Sequence, residues 1–264
     1  MSKMNNPFDN DAATINMLSQ AQKEGLSRLN NVIESKTLGV LTGEVGSGKS
    51  TLLRLLAASL SPTEYQVVYL SSAAMSPKDL YGAILSTLGE TPSYGLTKIK
   101  QQFREILDLR TSGHSRQIVL FIDESHELPT HTLLELRFLM THGLAPQAAF
   151  PVILAGQAKL RSELRKTVLE AIAQRVRMQY HLSGMNVDEC ISYVNEHMNR
   201  SGITRPVFTT DAIKLIHAVS RGIPRIINLL SAHSLHAAEV NNDNAIEEKH
   251  VMAVIADLDK QRGA

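Results

Sequence analysis

The 264-residue chain has no tryptophan and only 5% aromatic residues. So few flat side chains argue against a platform on which the bases of a single strand stack. Cysteine occurs once, at Cys190, which excludes an internal disulfide and points to a reducing compartment. No apolar run approaches the roughly 18 residues that a membrane-spanning helix needs. The opening stretch from Met1 to Phe8 holds no apolar core of a secretion signal. These absences lead to the expectation of a cytoplasmic protein without membrane insertion. The net charge is only +1, so any nucleic-acid contact must come from a local patch or from several copies acting together. Histidines number ten, yet His126, His131 and His142 lack the spacing to cysteine or carboxylate partners that zinc requires. His126 reads as part of a surface turn, and Cys190, among Val187, Ile191 and Val194, as a core position.

What is present is more telling. Gly43, Glu44, Val45, Gly46, Ser47, Gly48, Lys49 and Ser50 spell G-x-x-x-x-G-K-S, and Thr51 follows. The apolar run 38–41 leads in, and the helix-forming run 51–57 leads out. A strand, a glycine-rich turn and a helix start together form the context of a phosphate-binding loop. Its glycines let backbone N–H groups face a polyphosphate, and the helix dipole adds positive potential there. Lys49 reaches the β- and γ-phosphates, and the Ser50 hydroxyl can ligate Mg²⁺. The chain is expected to bind a nucleoside triphosphate.

A second motif adds hydrolysis. The apolar strand Gln117–Ile122 ends in Asp123 and Glu124, and such a run is typical of a parallel strand buried on both faces. At its carboxyl end Asp123 would hold Mg²⁺, through water. Glu124 is then placed to orient or deprotonate the attacking water as a general base. The apolar run 152–155 leads to Gln157, which would emerge next to Asp123 within hydrogen-bonding reach of the γ-phosphate or the water. Arg175 closes a helix before the last strand and would project toward a neighbouring subunit's nucleotide. Arg225 opens a later helix, behind Pro224, and would face back toward the phosphates.

Strand patterns at 38–41, 66–70, 118–122, 152–155 and 178–182 alternate with helical ones at 48–60, 77–88, 97–111, 130–141 and 157–177. That alternation predicts a parallel sheet covered by helices on both faces. Ser76 and Pro77 mark a helix start. From residue 186 onward only helical patterns remain, at 186–201, 210–220, 224–239 and 247–260. The expected division is an α/β nucleotide-binding domain over 1–183 and a small all-helical lid over 184–264.

Taken in order, GEVGSGKST, VLFIDESHELP, LLELRFLMTH, VILAGQAKLRSEL, AIAQRV and SRGIPRIINLLSAHSLHAA resemble the AAA+ ATPases of the ExeA/TniB group. That group includes secretion-pathway ATPases and the ATPase partners of integrase-type transposases, relatives of the TnsC, IstB and MuB regulators. The resemblance covers nearly the whole chain. It implies a P-loop AAA+ three-layer sheet in the order 5-1-4-3-2 with a C-terminal helical lid, and ATP with Mg²⁺ as cofactors. It also implies the role of sensor one for Gln157, arginine finger for Arg175 and sensor two for Arg225, with Arg177 open as an alternative finger. The phosphate loop and the acidic pair correspond to Walker A and Walker B. Pro7 and Phe8 are implied to pack near the adenine.

The expected activity is ATP hydrolysis coupled to self-assembly, because an arginine supplied in trans completes the site only in a ring or filament. The favoured reading is a transposition regulator whose ATP-bound oligomer binds duplex DNA without sequence preference and recruits or activates a transposase or integrase. Two clusters could supply phosphate contacts: Lys98, Lys100 and Arg104, or Lys159, Arg161, Arg165 and Lys166. The alternatives are a secretion-pathway ATPase of the ExeA kind and a nucleotide-switched scaffold with a protein client. Relatives of the secretion kind add a membrane span and a peptidoglycan-binding region after the ATPase, and neither is expected here because the sequence stops at Ala264.

Overall fold

A buried parallel strand needs apolar side chains on both faces, and three segments of this chain meet that demand throughout. In the computed structural model, residues 6–8, 17–71, 74–111, 115–141 and 148–261 are described. The elements are α1 (Gln20–Glu34), β1 (Leu38–Gly43), α2 (Lys49–Ser59), β2 (Tyr65–Ser71), α3 (Pro77–Thr87), α4 (Leu96–Thr111), β3 (Gln117–Asp123) and α5 (Thr130–Met140). They continue with β4 (Val152–Gly156), α6 (Lys159–Leu164), α7 (Glu170–Ala173), β5 (Val176–Leu182), α8 (Val187–Arg200), α9 (Thr210–Ser220), α10 (Pro224–Val240) and α11 (Glu248–Gln261). β1 and β4 are buried along their whole length, as is β3 after its first residue. β5, at one edge, instead alternates between partly buried and exposed positions.

The strand order is β2-β3-β4-β1-β5, and every pairing is parallel. Read from the other edge, this is the 5-1-4-3-2 order that the resemblance implied. The order matters for chemistry, because β4 lies between β1 and β3. Their carboxyl ends, where the phosphate loop and the acidic pair begin, therefore flank the end of β4, where Gln157 follows. Ligands of open α/β sheets bind at this carboxyl edge.

The chain divides into two compact units: Glu24–Gly43 with Lys49–Leu182, and Glu44–Gly48 and Ser183–Ala264 with the described part of Met1–Lys23. In the sheet-containing unit one apolar cluster runs from Leu38 and Val40 through Leu120 and Ile122 to Leu160 and Ile172. α3 starts with a capping box: the Ser76 Oγ accepts the Asp79 N–H at 3.3 Å, and the Asp79 carboxylate accepts the Ser76 N–H at 3.1 Å.

The helical unit has its own core, with Cys190, Val194, Phe208, Ile216 and Ile227 among its members. Burial pushes the Cys190 thiol up to about 12, so it packs as a small apolar group. Phe8 belongs to this core, stacked on His197 at 5.1 Å and edge-on to Phe208 at 6.0 Å. The His197 Nδ1 lies 2.9 Å from the Pro7 carbonyl oxygen. Burial lowers the pKa of that ring, against the opposing effect of the Pro7 bond, which favours a neutral imidazole donating from Nδ1. Among the described residues, no helix is long and apolar enough to cross a membrane.

Helix α1 has no counterpart among the sequence-predicted elements. Its sequence is polar and carries a central glycine, Gly25, both of which mask a helical pattern. The structure supplies the reason for that glycine. A Cβ there would come within 2.9 Å of the Leu52 side chain and 3.1 Å of the Tyr180 ring, so α1 reaches this distance only without a side chain. Gly25→Leu is expected to lower unfolding stability by about 1–3 kcal/mol through overpacking. Ser27→Leu, at an exposed position of the same helix, should stay within about 0.5 kcal/mol. Denaturant titration of both variants checks the contrast.

Candidate nucleotide site

The loop after β1 turns where its sequence permits. The Ser47 N–H donates to the Glu44 carbonyl at 3.1 Å, and Gly46 and Gly48 take positive φ angles of 80° and 97°, a region that favours glycine. α2 then begins at Lys49 with no acidic residue in its first turn, so its positive end is not neutralised from within. Thr51 lies in that first turn. The Lys49 ammonium is buried and donates to the Gly43 carbonyl at 3.0 Å.

Within the helical unit, α10 approaches the loop residue Gly46. A Cβ on Gly46 would lie 2.5 Å from the Arg225 Cβ, and the Arg225 N–H points at the Gly46 carbonyl at 3.4 Å. Gly46 is therefore required twice, once for its φ angle and once for the Arg225 stem beside it. The same unit brings Gln22 to the loop, since its side-chain nitrogen would stand 3.4 Å from a Cβ on Gly48. Gln22 is held by a reciprocal pair with Ser19, whose N–H donates to the Gln22 Oε1 at 2.9 Å while the Gln22 N–H donates to the Ser19 Oγ at 3.2 Å.

Within the sheet-containing unit, Asp123 collects three donors. The Ser50 hydroxyl donates to its Oδ2 at 2.5 Å, the Tyr69 hydroxyl to the same oxygen at 2.6 Å, and the Glu124 N–H to its Oδ1 at 2.9 Å. Asp123 is 2% exposed. Burial first, and the Asp123 carboxylate second, raise the Tyr69 pKa, so the phenol stays protonated and continues to donate. Two hard oxygen atoms in contact, one of them a carboxylate, suit Mg²⁺. The fit is to a metal held mainly by water and phosphate, since no group of three or more metal-binding side chains exists among the described residues. Tyr69 had no functional signal in the sequence, because a tyrosine on a strand reads as ordinary β-propensity.

Glu124 has left-handed backbone angles of 52° and 33°, a conformation costly for a residue with a Cβ and found often at functional sites. Its side chain is 44% exposed. Gln157 follows the end of β4, and its N–H donates to the His126 Nδ1 at 3.4 Å. The expectation of His126 on a surface turn needs correction. It lies on a turn, but its ring is only 7% exposed, because Gly156 offers no Cβ and lets the ring rest on the end of β4.

Arg175 and Arg177 are not brought to this site within one chain. β1 pairs with β5 so that Leu38 faces Val176 while Gly43 faces Leu182. Arg175 precedes Val176, so it lies about 20 Å along the strands from the loop end of β1. Both arginines line a cleft of about 170 Å³ with Lys36 and Gln174.

A profile of the AAA domain matches residues 32–164, half of the chain. The chain belongs to the AAA domain family. It is homologous to general secretion pathway protein A of Aeromonas hydrophila, with 32% identity over 232 residues. The alignment covers 87% of this chain and 42% of that protein, so the chain spans less than half the length of its curated relative. Two solved structures share the AAA fold. One is the Aeropyrum pernix ORC2 protein in ADPNP-ADP complexes, with TM-score 0.63, 15% identity, and coverage of 96% of this chain and 72% of that one. The other is the Aeropyrum pernix ORC1 protein in complex with DNA, with TM-score 0.63, 14% identity, and coverage of 97% and 69%.

Tyr69→Phe isolates the phenol's hold on Asp123. We expect nucleotide binding without metal to be unchanged, and the Mg²⁺ concentration for half-maximal ATP hydrolysis to rise about tenfold or more, as when a group that orients a metal ligand is lost. A Mg²⁺ titration of the ATPase rate checks this.

Proposed function

We propose that this AAA domain hydrolyses ATP with Mg²⁺, assembles in the ATP-bound form, and acts in the cytoplasm as a transposition regulator on duplex DNA. The observation that carries the switch is the separation just described. Ser50 and Asp123 are joined at the carboxyl edge of the sheet, while Arg175 stands at the opposite end. An arginine so placed serves a neighbour's nucleotide rather than its own, and that makes hydrolysis conditional on assembly.

In this reading the loop residues 43–51 cradle the phosphates, and Lys49 leaves the Gly43 carbonyl for the β- and γ-oxygens. Mg²⁺ on Ser50 and Asp123 would offset the charge that develops on the phosphates. Glu124 accepts the proton of the attacking water, Gln157 orients the γ-phosphate, and Arg225, with its stem against Gly46, adds positive charge at the loop. Arg175 of one copy, or Arg177 as the alternative, completes the site of the next.

For the DNA contact the two basic clusters differ. Lys100 is tied to Glu135 at 2.7 Å, which weakens the α4 cluster. In the other, Lys166 pairs with Glu163 at 2.6 Å, yet Lys159, Arg161 and Arg165 are exposed. An assembly would repeat that patch along a duplex and bind phosphates without reading bases. The ORC1 neighbour solved with DNA supports the same use of this fold. A second reading, a part in secretion, is favoured by the 32% identity to general secretion pathway protein A.

Variant kinetics, subunit mixing and DNA binding test the proposal. Lys49→Ala should abolish ATP binding, and Glu124→Gln should bind ATP yet stall hydrolysis. Arg175→Ala should keep affinity but lose assembly-dependent turnover, which mixing with the Glu124→Gln chain partly restores. No recovery on mixing, with Arg177→Ala more damaging, would reassign the finger. With a non-hydrolysable ATP analogue, the protein should bind duplex DNA with steep salt dependence, and charge reversal at Arg161 and Arg165 should weaken that binding. An oligomer that fails to bind DNA at low salt leaves the secretion reading in front.

A further inference from the structure

One ring nitrogen stands between two groups that it cannot serve together. The His126 Nδ1 lies 3.4 Å from the Glu124 Oε2 and 3.4 Å from the backbone nitrogen of Gln157. Glu124 offers only an acceptor, and the Gln157 N–H only a donor. A protonated Nδ1 donates to Glu124 and turns its hydrogen against the Gln157 N–H. A bare Nδ1 accepts from Gln157 and turns its lone pair against the carboxylate. The other ring nitrogen adds a bias, since Nε2 lies 3.9 Å from the Glu127 Oε1. A proton on Nε2 faces that carboxylate favourably, which supports the form that accepts from Gln157.

We propose that His126 is a positioning residue that couples Gln157 to Glu124, holding Glu124 when Nδ1 carries the proton and releasing it when Nδ1 accepts from Gln157. The change is an exchange between neutral tautomers: one proton leaves Nδ1 to solvent, one arrives at Nε2, and the net charge stays the same. Two features make the ring a stiff coupler. It is 7% exposed, and it rests on Gly156, where a Cβ would approach its Nδ1 at 3.2 Å and its backbone nitrogen at 3.1 Å. The base that it restrains sits on a left-handed backbone with a half-exposed side chain, so a side-chain contact decides where the carboxylate points. A shift of the Gln157 peptide as it meets a γ-phosphate would thereby change the aim of Glu124. The inference rests on the reading of Glu124 as base and of Gln157 as the group that meets the γ-phosphate.

The test uses the full chain under assembling conditions, with His126→Phe, which keeps a ring but no nitrogen, and His126→Asn, whose amide occupies the Nδ1 region and can donate or accept. For His126→Phe we expect kcat to fall about tenfold or more, as for lost positioning contacts, with ATP affinity and unfolding midpoint unchanged. His126→Asn should recover most of that loss. Equal kcat in the two variants, or parental kcat in His126→Phe, would overturn the proposal. Nitrogen-15 NMR of the ring in the parental chain gives a readout independent of catalysis. The Nδ1 signal should change from unprotonated to protonated character between ADP and a non-hydrolysable ATP analogue, and one unchanged tautomer in both would also overturn it. Full ATPase activity in Glu124→Gln, by contrast, refutes the reading of the base, and the NMR comparison still decides whether His126 responds to nucleotide.

Discussion

A carboxylate that is 2% exposed costs several kcal/mol unless its oxygens are met, and the sheet-containing unit is arranged so that those of Asp123 are. Its partners come from three elements: Ser50 from α2, Tyr69 from β2, and the N–H of Glu124 just past β3. Tyr69 arrives only if β2 pairs with β3 in the observed register, with Tyr69 beside Phe121 and Ser71 beside Asp123. α2 must also start where the loop after β1 releases it. The Asp123 cluster thus ties the strand order to the chemistry of the carboxyl edge. A slip of one residue in β2 would turn Tyr69 to the other face of the sheet and leave the buried carboxylate short of a donor.

Close approach is the second constraint, and glycine satisfies it at the positions that matter. Gly25 lets α1 meet Leu52 and Tyr180, Gly46 accepts the Arg225 stem, and Gly156 seats the His126 ring. None of these is a matter of flexibility alone. In each, a methyl group would enter space already held by a named side chain. The glycines thus fix where an arginine and a histidine stand relative to the residues that they serve.

The third feature is a separation. The sheet keeps Arg175 and Arg177 at the end opposite the phosphate loop, and no side-chain rotation spans about 20 Å. That separation is what the proposed division of the chemistry between copies rests on. The homology to general secretion pathway protein A and the fold shared with the ORC proteins agree on the AAA domain.

Much of this was legible from the chain alone. The glycine-rich loop and the acidic pair are short motifs with apolar strands before them, so local pattern alone offers them as candidates. The uninterrupted apolar character of β1, β3 and β4 marked a parallel sheet, because only strands covered on both faces tolerate it. Other features depended on contacts between residues distant in the chain. α1 stayed hidden because its polar composition and Gly25 make sense only against Leu52 and Tyr180. Tyr69 and His126 stayed unmarked because a tyrosine on a strand and a histidine on a turn carry no signal until pairing sets them beside Asp123 and Gln157. The sequence by itself determined the fold class and the family to which the chain belongs. Only the tertiary structure decided which groups meet, because hydrogen bonds and close packing depend on distances that strand order and register create.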